Sequence, residues 1–505
     1  MPSNLPKQIE KSVAEFASGV EGRIAAWMAV RDPAAFRAME LEIGALARSM
    51  SDEVTAHVVR SIVSDPELQA EASAAVRNAY PGRYRHGGRR TANVTLLGGK
   101  NVSLQVEYLT LNRRGSPRKR RPGKRGAGGT GVYPVLAVLG IWFGVTPALA
   151  GEVCRQVTDS DSVRTGRSAL ARRGIAIGHQ RTLRIVNRTS QRAVEQRQRW
   201  LEVVRAAAAR SGPLAHKRVV IATDGGRLRE RKSATHGRRR AATGHRRYDT
   251  PWREPKQLVI YTINNRTGAV DQSFCPVYDA TLGDCDALFA MLAGYLKALG
   301  AHQASRLIVV GDGAKWIWER TAALADELGL ASNKRVEVID WFHAVEVLHT
   351  IADIPARWSK PERARWVTRA KNALHKGNTD AVAGMIDELA VGRRAKEVAK
   401  HRDYFVRNHD RMQYATFKKR HLPLGSGAVE SAVRRVVNQR MKACGTFWLE
   451  DNAEGMLLLR SYLKCGRFDD LIDWSLATAA PWWPPVSASR DLDRGPLLHA
   501  DNVNA

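Results

Sequence analysis

VVIATDGGRLRERK, residues 219–232, is the stretch on which the fold turns. Five apolar or small residues run into Asp224, then two glycines, then a cluster of arginines. Lys217 to Thr223 reads as a buried strand, short and β-branched. A carboxylate at the end of such a strand is costly unless something needs it held still.

The elements that follow give the strand a context. QLVIYTIN and AVDQSFCPVY read as two more strands, joined by the turn NRTG. DCDALFAMLAGYLKALG reads as a helix, RLIVVGDG as a fourth strand, and AKWIWERTAALADELG as a helix. KRVEVID is a fifth strand, with the helix WFHAVEVLHTIAD after it. Three strands, helix, strand, helix, strand, helix is the order of a ribonuclease-H-like α/β core with a mixed five-stranded sheet.

Three acids share one placement: Asp224, Asp312 and Asp340 end strands one, four and five. Ligands of open α/β sheets bind beyond the carboxyl ends of parallel strands. Each acid also has a structural reading. Asp224 begins an Asp-Gly turn dipeptide, and Asp312 and Asp340 precede helices that they could cap. Gathered together, the carboxylates repel one another unless a cation intervenes. Magnesium or manganese, held by a few carboxylates and substrate phosphate, suits that set. A further acid comes from LPLGSGAVESAVRRVV. With Ser426 as N-cap, Glu430 falls one place beyond the capping-box position, at the edge of the stripe Val429, Val433, Val436 and Val437.

The rest of the chain is basic and helical. Its 505 residues carry a net charge of +30, which implies several domains and a polyanionic partner, nucleic acid first. Residues 1–80 read as helices, and 81–130 as a β-hairpin (TANVTLLGG, NVSLQVEYLTL) with a basic Gly/Pro-rich linker. Arg118, Lys119, Arg120 and Arg121 of that linker are candidate phosphate contacts. Residues 131–215 read as helical. Within them Ser162 to Thr189 has a helix-turn-helix outline, which would put Arg181 and Arg184 near bases or phosphates. The core divides into 216–354, a helical insertion at 355–424, and a last core helix within 425–465. Residues 466–505 read as a tail. Arg227, Arg229, Arg231 and the run Arg238, Arg239, Arg240 are further DNA-contact candidates, and Gly225 and Gly226 would let a DNA backbone approach. Trp252, Trp316, Trp318, Trp341 and Trp448 read mainly as core, with stacking of one of them on a flipped base as the alternative.

The five cysteines form no C-x-x-C pair, so neither a disulfide framework nor a zinc knuckle is expected. Val132 to Ala150 is the most apolar run, but Pro134, Gly140, Gly144 and Pro147 break it, so a buried helical core is expected rather than a membrane span.

TDGGRLRER, WREPKQLVIYTI, VVGDGAKWIW, VIDWFHAVEVL and LGSGAVES together resemble the motif series of DDE transposases from bacterial insertion sequences. The resemblance is to the ISKra-four group, related to the ISL-three and mutator-like families, over about residues 85–465. It implies that Asp224, Asp312 and Glu430 are the catalytic acids on a two-metal site. It also implies that the helices before Glu430 are the insertion domain of such enzymes. Asp340 and His343 are accessory candidates. The implied partners are double-stranded DNA, at element ends and target, and a second copy of the chain. The implied location is the bacterial cytoplasm, with the nucleoid. The cysteine-rich zinc motif of many relatives has no counterpart here. A nuclease that never joins strands, or a DNA-binding descendant without catalysis, are the competing expectations.

Overall fold

The computed structural model describes residues 7–112, 131–233, 248–390 and 395–477. Arg118, Lys119, Arg120, Arg121, Arg238, Arg239 and Arg240 lie outside the described residues. The chain forms a mixed α/β protein of two compact units, 7–189 with 472–477, and 190–471.

The first unit opens with three helices, α1 (Lys7–Val30), α2 (Pro33–Ser64) and α3 (Pro66–Ala79). Asp32 and Asp65 cap α2 and α3, each followed by a proline that is already set for a first helical turn. A hairpin follows, β1 (Tyr84–Thr95) with β2 (Asn101–Leu111), and β3 (Gly131–Val132) pairs with β2. The first strand begins earlier than its alternation predicts. Gly87 and Gly88 form a register shift between His86 and Arg89, with Gly88 at a φ of 77°. A side chain at 87 would strike Tyr108 and Thr110, so the glycine pair that masks the strand in the sequence is what lets it continue.

The apolar run 132–150 does not form one helix. It splits into β3, α4 (Pro134–Val138) and α5 (Pro147–Asp159), with Gly140 and Gly144 at positive φ between them. Val135, Leu136, Ile141, Val145 and Leu149 are buried, as expected of core. Among the described residues no helix is long and apolar enough to cross a membrane. Then come α6 (Val163–Arg172) and α7 (His179–Ala206), the latter 28 residues long and far longer than the second helix of the expected motif.

The second unit holds a five-stranded mixed sheet. Its strands are β4 (Arg218–Gly225), β9 (Lys256–Ile263), β10 (Val277–Thr281), β11 (Arg306–Gly311) and β12 (Arg335–Ile339). Among the described residues, four short strands lie between β4 and β9: β5 (Leu228–Arg229), β6 (Lys232–Ser233), β7 (Tyr248–Asp249) and β8 (Trp252–Arg253). The order is β10-β9-β4-β11-β12, with β4, β11 and β12 parallel and the β4–β9 and β9–β10 pairs antiparallel. β4, β9 and β11 are almost wholly buried, which explains their near-continuous apolar sequence.

The third strand departs from expectation: it begins at Val277, not near Ala269. Asp271 closes a turn through the Ser273 backbone and hydroxyl and accepts from Lys217, and Pro276 has no N–H to give a ladder. The crossing helices are α8 (Cys285–Ala298), α9 (Lys315–Glu327) and α10 (Trp341–Ala352). The expected insertion is helical: α11 (Lys360–His375), α12 (Thr379–Asp387), α13 (Ala395–Arg407) and α14 (Tyr414–Lys419).

The helix after it is not regular. α15 (Gly427–Val433) passes through a π turn at Arg434–Asn438 into α16 (Gln439–Met441). Buried Arg460, on α17 (Glu450–Lys464), donates from Nε to the Val436 carbonyl at 2.6 Å and also to the Arg435 carbonyl. Carbonyls that the wider turn frees are thereby satisfied. Residues 468–477, expected as part of a tail, form α18 (Phe468–Ala477), which buries Phe468, Leu471 and Trp474.

Sequence reasoning also missed the polar centre of this unit. Arg197, in the C-terminal half of α7, donates to Asp279 at 2.8 Å and to Glu454 at 2.6 Å, and all but a trace of it is buried. The Tyr295 hydroxyl donates to the other Asp279 oxygen at 2.6 Å and stands 3.0 Å from the Tyr462 hydroxyl. Burial opposes the charge of Arg197, but Asp279 and Glu454 outweigh it and hold the guanidinium above its ordinary value.

Candidate active site

Register brings the strand-end acids level. Val310 of β11 pairs with Ala222 of β4, so Asp312 stands opposite Asp224. Gly311 pairs with Ile339 of β12, so Asp340 follows on the other side. Asp224 is partly buried and accepts from the Gly225 N–H at 2.7 Å. Burial pushes its carboxyl up to about 6; the Gly225 bond pulls it down, and the charges of Asp312, Glu430 and Glu254 raise it. The three acids singled out in the sequence are therefore electrostatic neighbours. Asp312 accepts from the Ala314 N–H at 2.9 Å, which shapes the turn into α9.

Asp340 is hydrogen-bonded through both carboxylate oxygens. It is 1% exposed, and its Oδ1 accepts from the N–H groups of Phe342 at 2.6 Å and His343 at 3.3 Å, capping α10. Its Oδ2 accepts from the Ser426 N–H at 2.7 Å and from the Ser426 hydroxyl. The Asp340 N–H donates to Gly311 and the Trp341 N–H to Leu424, both at 2.8 Å. One buried residue thus ties the start of α10 to the start of α15 through its carboxylate and to the end of β11 through its backbone N–H. Ser426 occupies the N-cap position of α15 without capping it, because its hydroxyl faces Asp340 and lies 3.1 Å from Glu430 Oε1. Glu430 is exposed beside the buried Val429, Ala432 and Val433, at the rim the apolar stripe implies. His343 is half-exposed, with Nδ1 3.8 Å from Glu346 and its ring 6.3 Å from Tyr404.

Two residues of the site were not singled out in the sequence. Glu254, within the WREPKQ motif, packs its carboxylate against the α-carbon of Gly225 and lies 3.6 Å from Lys256 Nζ. Tyr404 of α13 lies so close to Gly313 that any side chain there would enter its ring. Burial, with Asp312 and Asp340 nearby, raises its phenol well above the ordinary value. Neither has a signal beyond its motif or its helix.

The glycines after Asp224 are closely packed by the protein itself. A side chain at Gly225 would strike Glu254, and one at Gly226 would meet Val437 and Pro255 at 3.0 and 3.3 Å. Beyond them Arg227, Arg229 and Arg231 are exposed and alternate with buried Gly226, Leu228 and Glu230. In the first unit, Arg181 is held by the protein itself. Its Nε donates to the Phe143 carbonyl at 2.9 Å, and Nη2 reaches Thr95 Oγ1 at 3.0 Å and the Gly144 carbonyl. Arg184 is exposed.

A divalent cation fits this donor set in one way. Among the described residues, no group of three His, Cys, Asp or Glu side chains is placed to hold a metal ion, so any cation would need oxygens from the substrate as well. Magnesium binds in that way: it keeps waters and takes one or two carboxylates plus substrate oxygens. A desolvated carboxyl surrounded by acids, as at Asp224, is the donor whose repulsion a cation would relieve. Asp224 with Asp312 and Glu430 are the residues that would hold it. Compared with protein-family models and with curated proteins, the chain matches none.

Proposed function

We propose that this chain is a DDE-type DNA transposase that cleaves the ends of a mobile DNA element and joins them to target DNA. The observation that carries this reading is the register that sets Asp224 and Asp312 level at the carboxyl ends of the parallel strands β4 and β11, with Glu430 joined to the neighbouring strand end through Ser426 and Asp340. The strand order and directions agree with a ribonuclease-H-like core, and the helices α11–α14 stand where the insertion of such enzymes would stand. The charge of +30 agrees with a DNA partner.

Both reactions are in-line displacements at phosphorus, first by water, then by a free 3′-hydroxyl. Bound magnesium or manganese would activate the incoming oxygen and stabilise the leaving one. The protein supplies the rest. Asp224 and Asp312 are fixed by strand ends and by the turns they accept from. Glu430 is oriented through Ser426 and Asp340. Arg227, Arg229 and Arg231 neutralise phosphates beside the acids.

Pairing two element ends calls for at least a dimer. The α1–α2 hairpin is the surface best suited to a second copy. α1 buries none of its residues, and Ile24, Met28 and Leu41 are exposed on a pair of helices that mixes acids and bases. The function is tested by incubating the protein with a plasmid and with DNA taken from both sides of its gene. Joined products support a transposase, cleavage without joining a nuclease, and binding alone a non-catalytic protein.

A further inference from the structure

Past Asp224, the β4–β9 pair does not end with the sheet. Gly225 is level with Lys256, and the Gly226 N–H donates to Pro255 at 2.8 Å. Leu228 then pairs with Arg253, Arg229 with Trp252, Lys232 with Asp249 and Ser233 with Tyr248. The two chains form a ribbon running on from the strand that carries Asp224. A third chain braces it: the Trp448 N–H donates to the Arg229 carbonyl at 2.9 Å, and the Arg231 N–H to Trp448 at 2.7 Å. Trp448 follows the helix that carries Glu430, so the ribbon is held from both sides of the acid cluster.

One face of the ribbon is built of stacked cation–aromatic pairs. Arg229 lies 4.8 Å above the ring of its cross-strand partner Trp252, which is 52% exposed. Arg231 lies 4.2 Å above Tyr248, which is 39% exposed and leans edge-on against Phe447. The other face carries buried Glu230, whose charge meets Arg253 and Lys232, each at 3.4 Å. The outward face is therefore cationic and aromatic at once. Exposed tryptophan beside arginine serves no core, and a duplex backbone would need the charge but not the rings.

We propose that the Arg229–Trp252 and Arg231–Tyr248 pairs form a stacking platform for unpaired nucleotides of a DNA strand on its way to the carboxylates. A base has a flat face that stacks on an aromatic ring or on a guanidinium plane, whatever its identity. The paired arrangement offers both, and the arginine also meets the phosphate of the same strand. Opened DNA ends are where unpaired bases arise. This inference rests on the reading of the acid cluster as a DNA site, and its test is kept separate from catalysis.

The test is equilibrium binding of the full-length protein, without divalent cation, to a short oligodeoxythymidylate and to a duplex of equal length at one salt concentration. Trp252→Ala should lower single-strand affinity roughly tenfold, the worth of about one base–aromatic stack, and leave duplex affinity within about twofold. Trp252→Phe should restore most of it. Arg229→Lys keeps the charge and loses the plane, so it should lower single-strand affinity while leaving its salt slope unchanged. Equal losses on both DNAs, or no loss in Trp252→Ala, would overturn the proposal. Because no metal is present, failure of the acid cluster to cleave DNA would leave this result standing, and the reverse.

Discussion

The Asp340 carboxylate accepts the backbone N–H of Ser426 at 2.7 Å, across 86 residues of chain. Through that bond the insertion helices leave and rejoin the core at one buried point. Asp340→Ala would remove a helix cap and leave the buried Ser426 N–H unsatisfied. A destabilisation of about 2–4 kcal/mol is expected in denaturant unfolding. Asp340→Asn should lose less. An unfolding midpoint of Asp340→Ala equal to wild type would show that the clip is not holding the segments.

Asp224 makes stability depend on pH. Its folded pKa, about 6, lies above its ordinary 3.8, so folding favours the protonated form. That stabilisation is full below the ordinary value and is lost as pH rises through about 6. Without divalent cation, Asp224→Asn should therefore melt higher than wild type at about pH 7.5, with the gap closing toward about pH 4. Added magnesium should raise wild type more than the variant. Parallel melting curves across that range would contradict the environment described for Asp224.

Arg197 is expected to matter for folding and not for chemistry. Arg197→Met leaves the fully buried Asp279 without its cation, at a cost of about 3–5 kcal/mol by chemical unfolding. Adding Asp279→Asn should recover part of the loss. A single-variant loss below about 1 kcal/mol would mean that the Tyr295 and backbone bonds suffice for Asp279.

Arg181 and Arg184 should separate. Arg181 is engaged with Phe143, Gly144 and Thr95, so Arg181→Ala should lower the melting temperature. Arg184 is exposed, so Arg184→Ala should leave melting unchanged and weaken DNA binding. Paired affinities for end and scrambled DNA then tell base contact from phosphate contact. Loss of end discrimination in Arg181→Ala with unchanged melting would reverse the assignment.

The sheet was legible because most of its strands are short runs rich in apolar and β-branched residues, as buried strands are. Asp224 and Asp312 were legible for the same reason: a carboxylate closing such a run stands out. What sequence could not give was mutual geometry. Nothing local distinguishes Asp340, whose carboxylate clips Ser426, from Asp312, which accepts only from the nearby Ala314 N–H and stays level with Asp224. Likewise the first strand starts at Tyr84, ahead of the alternating run, because Gly87 and Gly88 are a bulge inside β1 and only a partner strand defines a bulge. Arg197 and Arg460 sat among surface-like arginines, yet both are buried by residues more than 20 positions away. Trp252 was read as core because tryptophan usually is, and the ribbon that exposes it exists only through pairing with Arg229.

The central claim is that Asp224, Asp312 and Glu430 act together on DNA, and cleavage by their isosteric variants tests it most directly. Cleavage of end-labelled duplex taken from both sides of the gene would be measured with magnesium for wild type, Asp224→Asn, Asp312→Asn and Glu430→Gln, beside DNA affinity for each. The account predicts at least about a hundredfold loss of cleavage in every variant, the scale of removing one group that stabilises developing charge, with affinity within a few-fold of wild type. Cleavage within about tenfold of wild type by any one of them would remove that residue from the site and contradict the account.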